Sequence, residues 1–389
     1  MMKTLANPTQ RLRLGFIGGG LESSIGATHR YAAHLDGHFE LVAGVFARDQ
    51  QRNQAAAQAY GVDPDRVYAD FQAMARAEAE RADGIQAVAI MAPNAVHVPA
   101  SLAFLQQGID VICDKPLATD LNEARSLLAE SRHGPALHLL THNYSGYPMI
   151  REARDLIARG AIGDVRLVQV EHASAFGTHP LEQQGSKALA WRTDPGQAGT
   201  SSVLGDVGVH AHQLLRFVTG QEVSEVSAEL STLVPGRRSD DNAHVKLRLS
   251  GGGRGMLWAS FVAAGHRHGL QIRVFGSTGS LYWHQEEPER LELRHQDQPH
   301  QILRRGEAWL SDAAKQATRI KAGQPEGLLE AFANVYSDAA ELIRARREQR
   351  PSAPLARLCA TAEDGLLGMV FIDACVRSNE AQGRWTSLD

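Results

Sequence analysis

A lysine, an aspartate and a histidine stand where they could take a proton from a hydroxyl. Lys115 lies in Asp114-Lys115-Pro116, directly after the apolar run 110–113, which reads as a strand. In a parallel sheet the carboxyl ends of the strands line the ligand crevice. An ammonium group there can hold or polarise a substrate oxygen, and Pro116 stiffens the turn. Asp206 and His210 belong to Gly205-Asp206-Val207-Gly208-Val209-His210. On a helix that spacing puts them about 40° apart, nearly on one face. Asp206 suits the N-cap of such a helix. A carboxylate beside an imidazole can hold its tautomer and stabilise its protonated form. This is what a histidine needs if it is to accept a hydroxyl proton while hydride leaves the same carbon. Such general-base work is typically worth ~10²–10⁴-fold in rate. Each piece also has an ordinary structural reading: a solvated loop lysine, a plain helix cap, a packing histidine.

A second set of residues could hold a dinucleotide. The run 12–17 (LRLGFI) ends at Gly18-Gly19-Gly20, and a helical stretch follows at 27–35. A strand, glycines and a helix start place backbone N–H groups where a pyrophosphate could sit. The spacing departs from G-x-G-x-x-G: LESSI intervenes before Gly26, with Ile25 just ahead of it, so the loop is about three residues longer. A glycine turn without a ligand is the plain alternative. After the second strand, an acidic residue would bond the adenosine ribose hydroxyls. That place falls on Ala47, with Arg48 and then Asp49 beside it. A missing carboxylate removes repulsion of a 2′-phosphate, and a guanidinium can pair with it. This favours NADP over NAD; Asp49 doing the ribose work is the competing reading. His210 and His212 form His-x-His, but on a helix they point about 200° apart and cannot readily share an ion. No metal is expected.

The elements that must position these groups follow from the pattern. Strand-like runs at 12–17, 39–46, 87–91, 110–113 and 136–141 alternate with helical stretches at 27–35, 50–60, 97–107 and 122–131. Such alternation calls for right-handed crossovers and a parallel sheet. Past residue 142 the rhythm changes. Helices at 149–159 and 207–218 flank a strand at 165–172; strands follow at 223–233, 243–249, 255–261, 270–275 and 280–283; helices at 326–347 and 361–377 close the chain. Consecutive strands favour an antiparallel or mixed sheet. The fold class is therefore α/β, with a nucleotide-binding half at 1–142 and an α+β half at 143–389.

Composition narrows the function classes. The chain has 389 residues, 43% hydrophobic and 22% charged, so two cores need no staples. Forty basic residues face 44 acidic ones, a net charge of −4, which gives no basic surplus for nucleic acid or an anionic membrane. Cys113, Cys359 and Cys375 are too sparse for a disulfide framework. The first 20 residues show no secretory h-region, and no run approaches a membrane span. A reduced, cytoplasmic protein is expected.

Several collinear motifs resemble one family. They are GFIGGG…IGATHR at 15–30, MAPNAVH at 91–97, DKPL at 114–117, HNYSGYP at 142–148, WRTDP at 191–195, GDVGVHAHQL at 205–214 and EDGL at 363–366. Together they resemble the glucose–fructose oxidoreductase/inositol dehydrogenase (Gfo/Idh/MocA) family over nearly the whole chain. The resemblance implies a Rossmann domain and a C-terminal domain built on a large, mostly antiparallel open sheet. It implies NAD(P)-dependent, reversible oxidation of a sugar, sugar-derivative or cyclitol hydroxyl. Redox-assisted glycosidase chemistry and a non-catalytic cofactor or sugar sensor are the alternatives. The family's Lys, Asp and His fall on Lys115, Asp206 and His210, with Asp114 in place of the family's Glu. Cofactor support is implied for Gly18, Gly20, Ile25, Gly26, Ala47, Arg48, Ala92, Pro93, Asn94, His97, Asp114 and Lys115. Substrate contacts are implied at Asn143, Tyr144, Trp191, Arg192 and His210. Ser145 stands where relatives often carry Arg, which changes the local charge near the substrate. A homodimer or homotetramer through the C-terminal sheet is implied as well. The sequence leaves open whether Lys115-Pro116 is cis.

Overall fold

A computed structural model of the chain describes residues 11–388. The reading of the N-terminal leader falls mostly on residues 1–10, outside the described residues. Two sheets organise the rest. The first is built from β1 (Leu12–Gly18), β2 (Phe39–Val45), β3 (Ala87–Met91), β4 (Asp110–Cys113) and β5 (His138–Leu140). These strands are parallel in the order β5-β4-β3-β1-β2, so the order reverses between β1 and β3. A ligand crevice belongs at the carboxyl ends beside that switch point. The helices α1 (Ser24–Leu35), α2 (Gln50–Tyr60), α3 (Phe71–Glu80), α4 (Asn94–Leu105) and α5 (Leu121–Ser131) supply the crossovers. β3 is buried along its whole length, as an interior strand covered on both faces should be.

Helix starts are set by local caps. Ser23 caps α1, its Oγ accepting from the Gly26 N–H at 3.1 Å. The helix therefore begins three residues before the expected position, and the extra loop residues become its first turn. Asp49 caps α2 by accepting from the Arg52 N–H at 2.8 Å. Helix α3 was not anticipated; Asp70 caps it, and Met74, Ala75 and Glu78 turn inward.

The second half begins with α6 (Pro148–Ala158) and β6 (Val165–Ala173). Two short helices, α7 (Lys187–Arg192) and α8 (Pro195–Ala198), precede α9 (Val209–Thr219). Then come β7 (Val223–Ser231), β8 (Asn242–Leu249), β9 (Arg254–Ser260), β10 (Leu270–Gly276) and β11 (Gly279–His284). Beyond the anticipated strands, β12 (Arg290–His295) and β13 (Gln301–Arg304) extend the edge. After α10 (Asp312–Ala317) and α11 (Leu328–Arg347) come β14 (Ala360–Thr361), α12 (Ala362–Glu380) and β15 (Thr386–Ser387). The second sheet has nine strands in the order β13-β12-β11-β10-β6-β9-β8-β7-β15. Its pairs are antiparallel except β6 with β9.

The last segment returns to the first sheet. β14 pairs antiparallel with β5, and α11 packs against α1. Asp36, just past α1, forms a buried ion pair with Arg319 and accepts from Ser337 of α11. The nucleotide-binding sheet is thus completed by residues far beyond position 142.

Candidate active site

Lys115 leaves the end of β4 on a turn held from below. Asp114 Oδ1 accepts from the Lys115 N–H at 2.9 Å and from Thr141 Oγ1 at 2.8 Å. The Lys115-Pro116 peptide is cis. The lysine Nζ donates to the Asp206 carbonyl at 2.6 Å and to Asp206 Oδ1 at 2.9 Å. Arg192 Nε donates to the other carboxylate oxygen, Oδ2, at 2.9 Å. Burial works against ionisation of Asp206, but Arg192 and Lys115 together hold its carboxyl well below the usual range. The carboxylate stays charged, and in turn it fixes where the lysine nitrogen sits.

Two readings of Asp206 are corrected by this geometry. It is not an N-cap: residues 204–208 form a single π turn that runs into α9, and Asp206 lies inside it. A π turn inside a helical run often marks a functional site. Nor is its carboxylate a bond partner of His210, because the two cations engage both oxygens. Charge-assisted bonds to ammonium and guanidinium are stronger than a bond to a neutral ring or a backbone N–H.

His210 is buried and framed by rings. Tyr144 meets it edge to face at 4.7 Å between centroids, and His142 and His172 each lie at 5.9 Å. Burial first, then the Lys115 charge, pushes its pKa well below the ordinary histidine value. The ring is therefore neutral near pH 7 and able to accept a proton. Its Nδ1 is buried and has no hydrogen-bond partner among the described residues. His212 faces elsewhere and stacks on Phe371 at 4.3 Å.

These groups share a cavity of about 740 Å³ that runs between the halves. One end takes in Asn143, Tyr144, Trp191 and Arg192, so the four residues expected to contact substrate line the same cavity. Trp191 lies under the Arg192 guanidinium, 4.2 Å from ring centroid to carbon. Ser145 is buried and donates to the His142 carbonyl at 2.8 Å, so it is turned away from the cavity. His172, Phe176, Arg267 and His268 also line it and were not anticipated. Their strands and loops were legible, but nothing in their spacing tied them to residues 114–115.

The other end holds Ser23, Ser24, Ile25, Thr28, Ala92 and Asn94. Gly18 and Gly19 have φ of +84° and +72°, a conformation that favours glycine. A Cβ on Gly26 would stand 2.3 Å from the Gly19 Cα. The helix thus approaches the loop as only glycine permits, and the first turn of α1 opens into the cavity, as a pyrophosphate site needs. Asn94 Nδ2 donates to the Ala198 carbonyl at 2.9 Å, tying this loop to α8. His97 is buried, with Nδ1 2.7 Å from the Pro116 carbonyl and Nε2 3.0 Å from the Ala92 carbonyl. It braces the two loops from behind rather than lining the cavity. Ala47 is half-buried, and Arg48 is exposed with no ion pair among the described residues.

Comparison with known proteins agrees with both halves. Residues 12–139 match the model of an oxidoreductase family with an NAD-binding Rossmann fold, and residues 150–282 match the GFO/IDH/MocA C-terminal domain. The chain is 33% identical over 380 residues to the uncharacterised oxidoreductase YfiI of Bacillus subtilis, covering 97% of each. It is 45% identical to a Sinorhizobium meliloti oxidoreductase of known structure (TM-score 0.88, 96% of this chain and 99% of that one). An inositol dehydrogenase homologue from Azotobacter vinelandii, solved with NADH and myo-inositol, is 35% identical with a TM-score of 0.92 over 100% of both chains. Fold, cavity and these likenesses agree: the chain belongs to the GFO/IDH/MocA oxidoreductase family.

Proposed function

We propose that the protein reversibly oxidises a ring hydroxyl of a sugar, sugar derivative or cyclitol, using NAD(P). One observation carries this reading: Lys115, fixed by Asp206, and a neutral His210 open into the same cavity as the glycine turn. The Gly19–Gly26 approach and the open first turn of α1 fit a dinucleotide pyrophosphate. When bound, the nicotinamide supplies the hydride acceptor. Lys115 Nζ offers its one remaining N–H to the substrate oxygen and favours alkoxide character there. His210 takes the hydroxyl proton. Asn143, Tyr144, Trp191 and Arg192 bind the other hydroxyls, where an unmatched polar group is costly.

The dinucleotide end favours NADP. Asp49 spends its carboxylate on the α2 cap, and the exposed Arg48 guanidinium, with no ion pair among the described residues, is available to a 2′-phosphate. The open face of the nine-stranded sheet, which exposes Leu167, Met256 and Phe275, forms the contact of a homodimer or homotetramer. The buried, free Cys113, Cys359 and Cys375 suit a reducing cytoplasm.

The test is absorbance at the reduced-nicotinamide band, with NAD or NADP and a panel of aldoses, anhydrosugars, glycosides and inositols. Turnover with one compound supports the reading and reports the preferred dinucleotide. Release of a free sugar from a glycoside without net cofactor reduction would replace it with glycosidase chemistry.

A further inference from the structure

The end of the cavity proposed for substrate draws on three separate stretches of chain. Phe176 lies in the segment 174–186, Trp191 and Arg192 end α7, and Asp206 lies in the helical run that begins at residue 202. The first stretch contains no strand and no α-helix, and α7 has only six residues. A helix that short does not hold itself in water. Something outside these stretches must fix them.

One loop reaches all three: the β7–β8 connection, residues 232–241. Arg237 is buried, and its Nη1 donates to the carbonyl of Gly177, next to Phe176, at 3.0 Å. Its Nε and Nη2 donate to the two carboxylate oxygens of Glu182 at 3.1 and 3.2 Å. Asp241 holds the loop in shape. Its carboxylate accepts from Arg237 Nη1 at 3.0 Å and from the Leu233 and Val234 N–H groups at 2.8 and 3.0 Å. Ser239 Oγ donates to the carbonyl of Thr193, next to Arg192, at 2.9 Å. Asp240 Oδ1 accepts from the Val203 N–H at 2.8 Å. Val203 stands in the first turn of the run that carries Asp206, where backbone N–H groups have no partner inside the helix. Each of these outward bonds goes to the substrate end; the glycine turn and α1 receive none of them.

We infer that the β7–β8 connection braces the substrate end of the cavity, with Arg237 and Asp240 as positioning residues for different parts of it. Arg237 holds the wall that carries Phe176, a residue with no acid–base group. Asp240 holds the start of the helical run whose π turn places Asp206, and through Asp206 it sets Lys115. The inference rests on the proposed dehydrogenase reading.

The two residues therefore differ in kinetic signature. Arg237→Lys keeps the charge but loses the planar fork. KM for the substrate should rise roughly fivefold or more, with kcat within about twofold. Glu182→Gln leaves Arg237 and Asp241 paired; it should act in the same way and serves if the lysine variant folds poorly. Asp240→Ala leaves the Val203 N–H without its acceptor, and kcat should fall roughly tenfold with KM within about threefold. Asp240→Asn offers an amide oxygen to the same N–H and should recover most of that loss. A role in stability alone would move kcat and KM alike at both positions, so parallel changes overturn the brace, as do wild-type kinetics. A wild type silent across the substrate panel counts against the dehydrogenase reading, and amide hydrogen exchange then decides the brace without any substrate. Glu182→Gln should speed exchange across 174–186 and Asp240→Ala across 202–210, with 12–30 unchanged. Exchange that speeds everywhere, or nowhere, overturns the inference.

Discussion

Acid should unfold this protein through its neutral histidines, and the size of the effect can be worked from single residues. His29, His138 and His142 are buried, and burial pushes their pKa values down to about 4, about 3 and about 4. In the unfolded chain each returns to about 6.5. Between those values the unfolded state binds more protons than the folded one, so stability is present above pH 6.5 and is lost as pH falls towards 4. For one such group the loss between pH 7 and pH 5 is about 2 kcal/mol. Three of them remove about 6 kcal/mol, a large share of the ~5–15 kcal/mol of a typical fold. His138 gives the cleanest test, because its one hydrogen bond, Nε2 to Ser101 Oγ at 3.1 Å, can be kept by an amide. His138→Gln should lower stability modestly at pH 7. It should also lose about 2 kcal/mol less than the wild type on going to pH 5. The assay is the urea midpoint across pH 7 to 5 by circular dichroism. If both proteins lose the same stability over that interval, the buried-neutral account of His138 is refuted.

Three further outcomes are expected. His210→Ala should abolish turnover while NAD(P)H still quenches intrinsic fluorescence; near-normal turnover would remove His210 from the mechanism. Arg48→Ala should weaken NADPH binding more than NADH binding in a fluorescence titration, and an equal effect on both would sink the 2′-phosphate role. Gly26→Ala places a methyl 2.3 Å from the Gly19 Cα. Cofactor affinity should fall at least tenfold, and unchanged affinity would mean that the loop can relax away from α1 at little cost.

The proposed catalytic trio could be picked out because its residue types are chemically demanding and its motifs are short and contiguous. Lys115 and Asp206 do meet, across 91 residues of chain. Their partnership was misread: spacing paired Asp206 with His210, whereas the fold brings Lys115 and Arg192 to its two oxygens. Helical periodicity registers neighbours on one element only, and charge pairing across elements leaves no periodic trace. His268 and Arg267 were missed for the same reason, since they sit on a loop whose position depends on how β9 and β10 each pair with β6, which lies between them. Among the strands, β1 to β5 stood out as apolar runs, while β12 alternates charged and apolar residues and the four-residue β13, exposed but for Leu303, has no alternation to mark it. The first turn of α1 was hidden because a serine cap looks like loop until its oxygen is seen to accept the Gly26 N–H.

The return of the C-terminal segment to the first sheet has a consequence for engineering. Strand β14 extends that sheet beyond β5, and α11 covers α1 with Phe332 and Tyr336 against His29. A fragment ending near residue 142 would leave that apolar flank bare and the Asp36 carboxylate without Arg319. The nucleotide-binding half is therefore not a transplantable module. A chimaera built to exchange cofactor preference would have to carry 319–361 along with the N-terminal strands, two stretches of chain joined only in space. The same lacing makes melting of the two halves a shared event, so a single calorimetric transition is the natural signature of the intact chain.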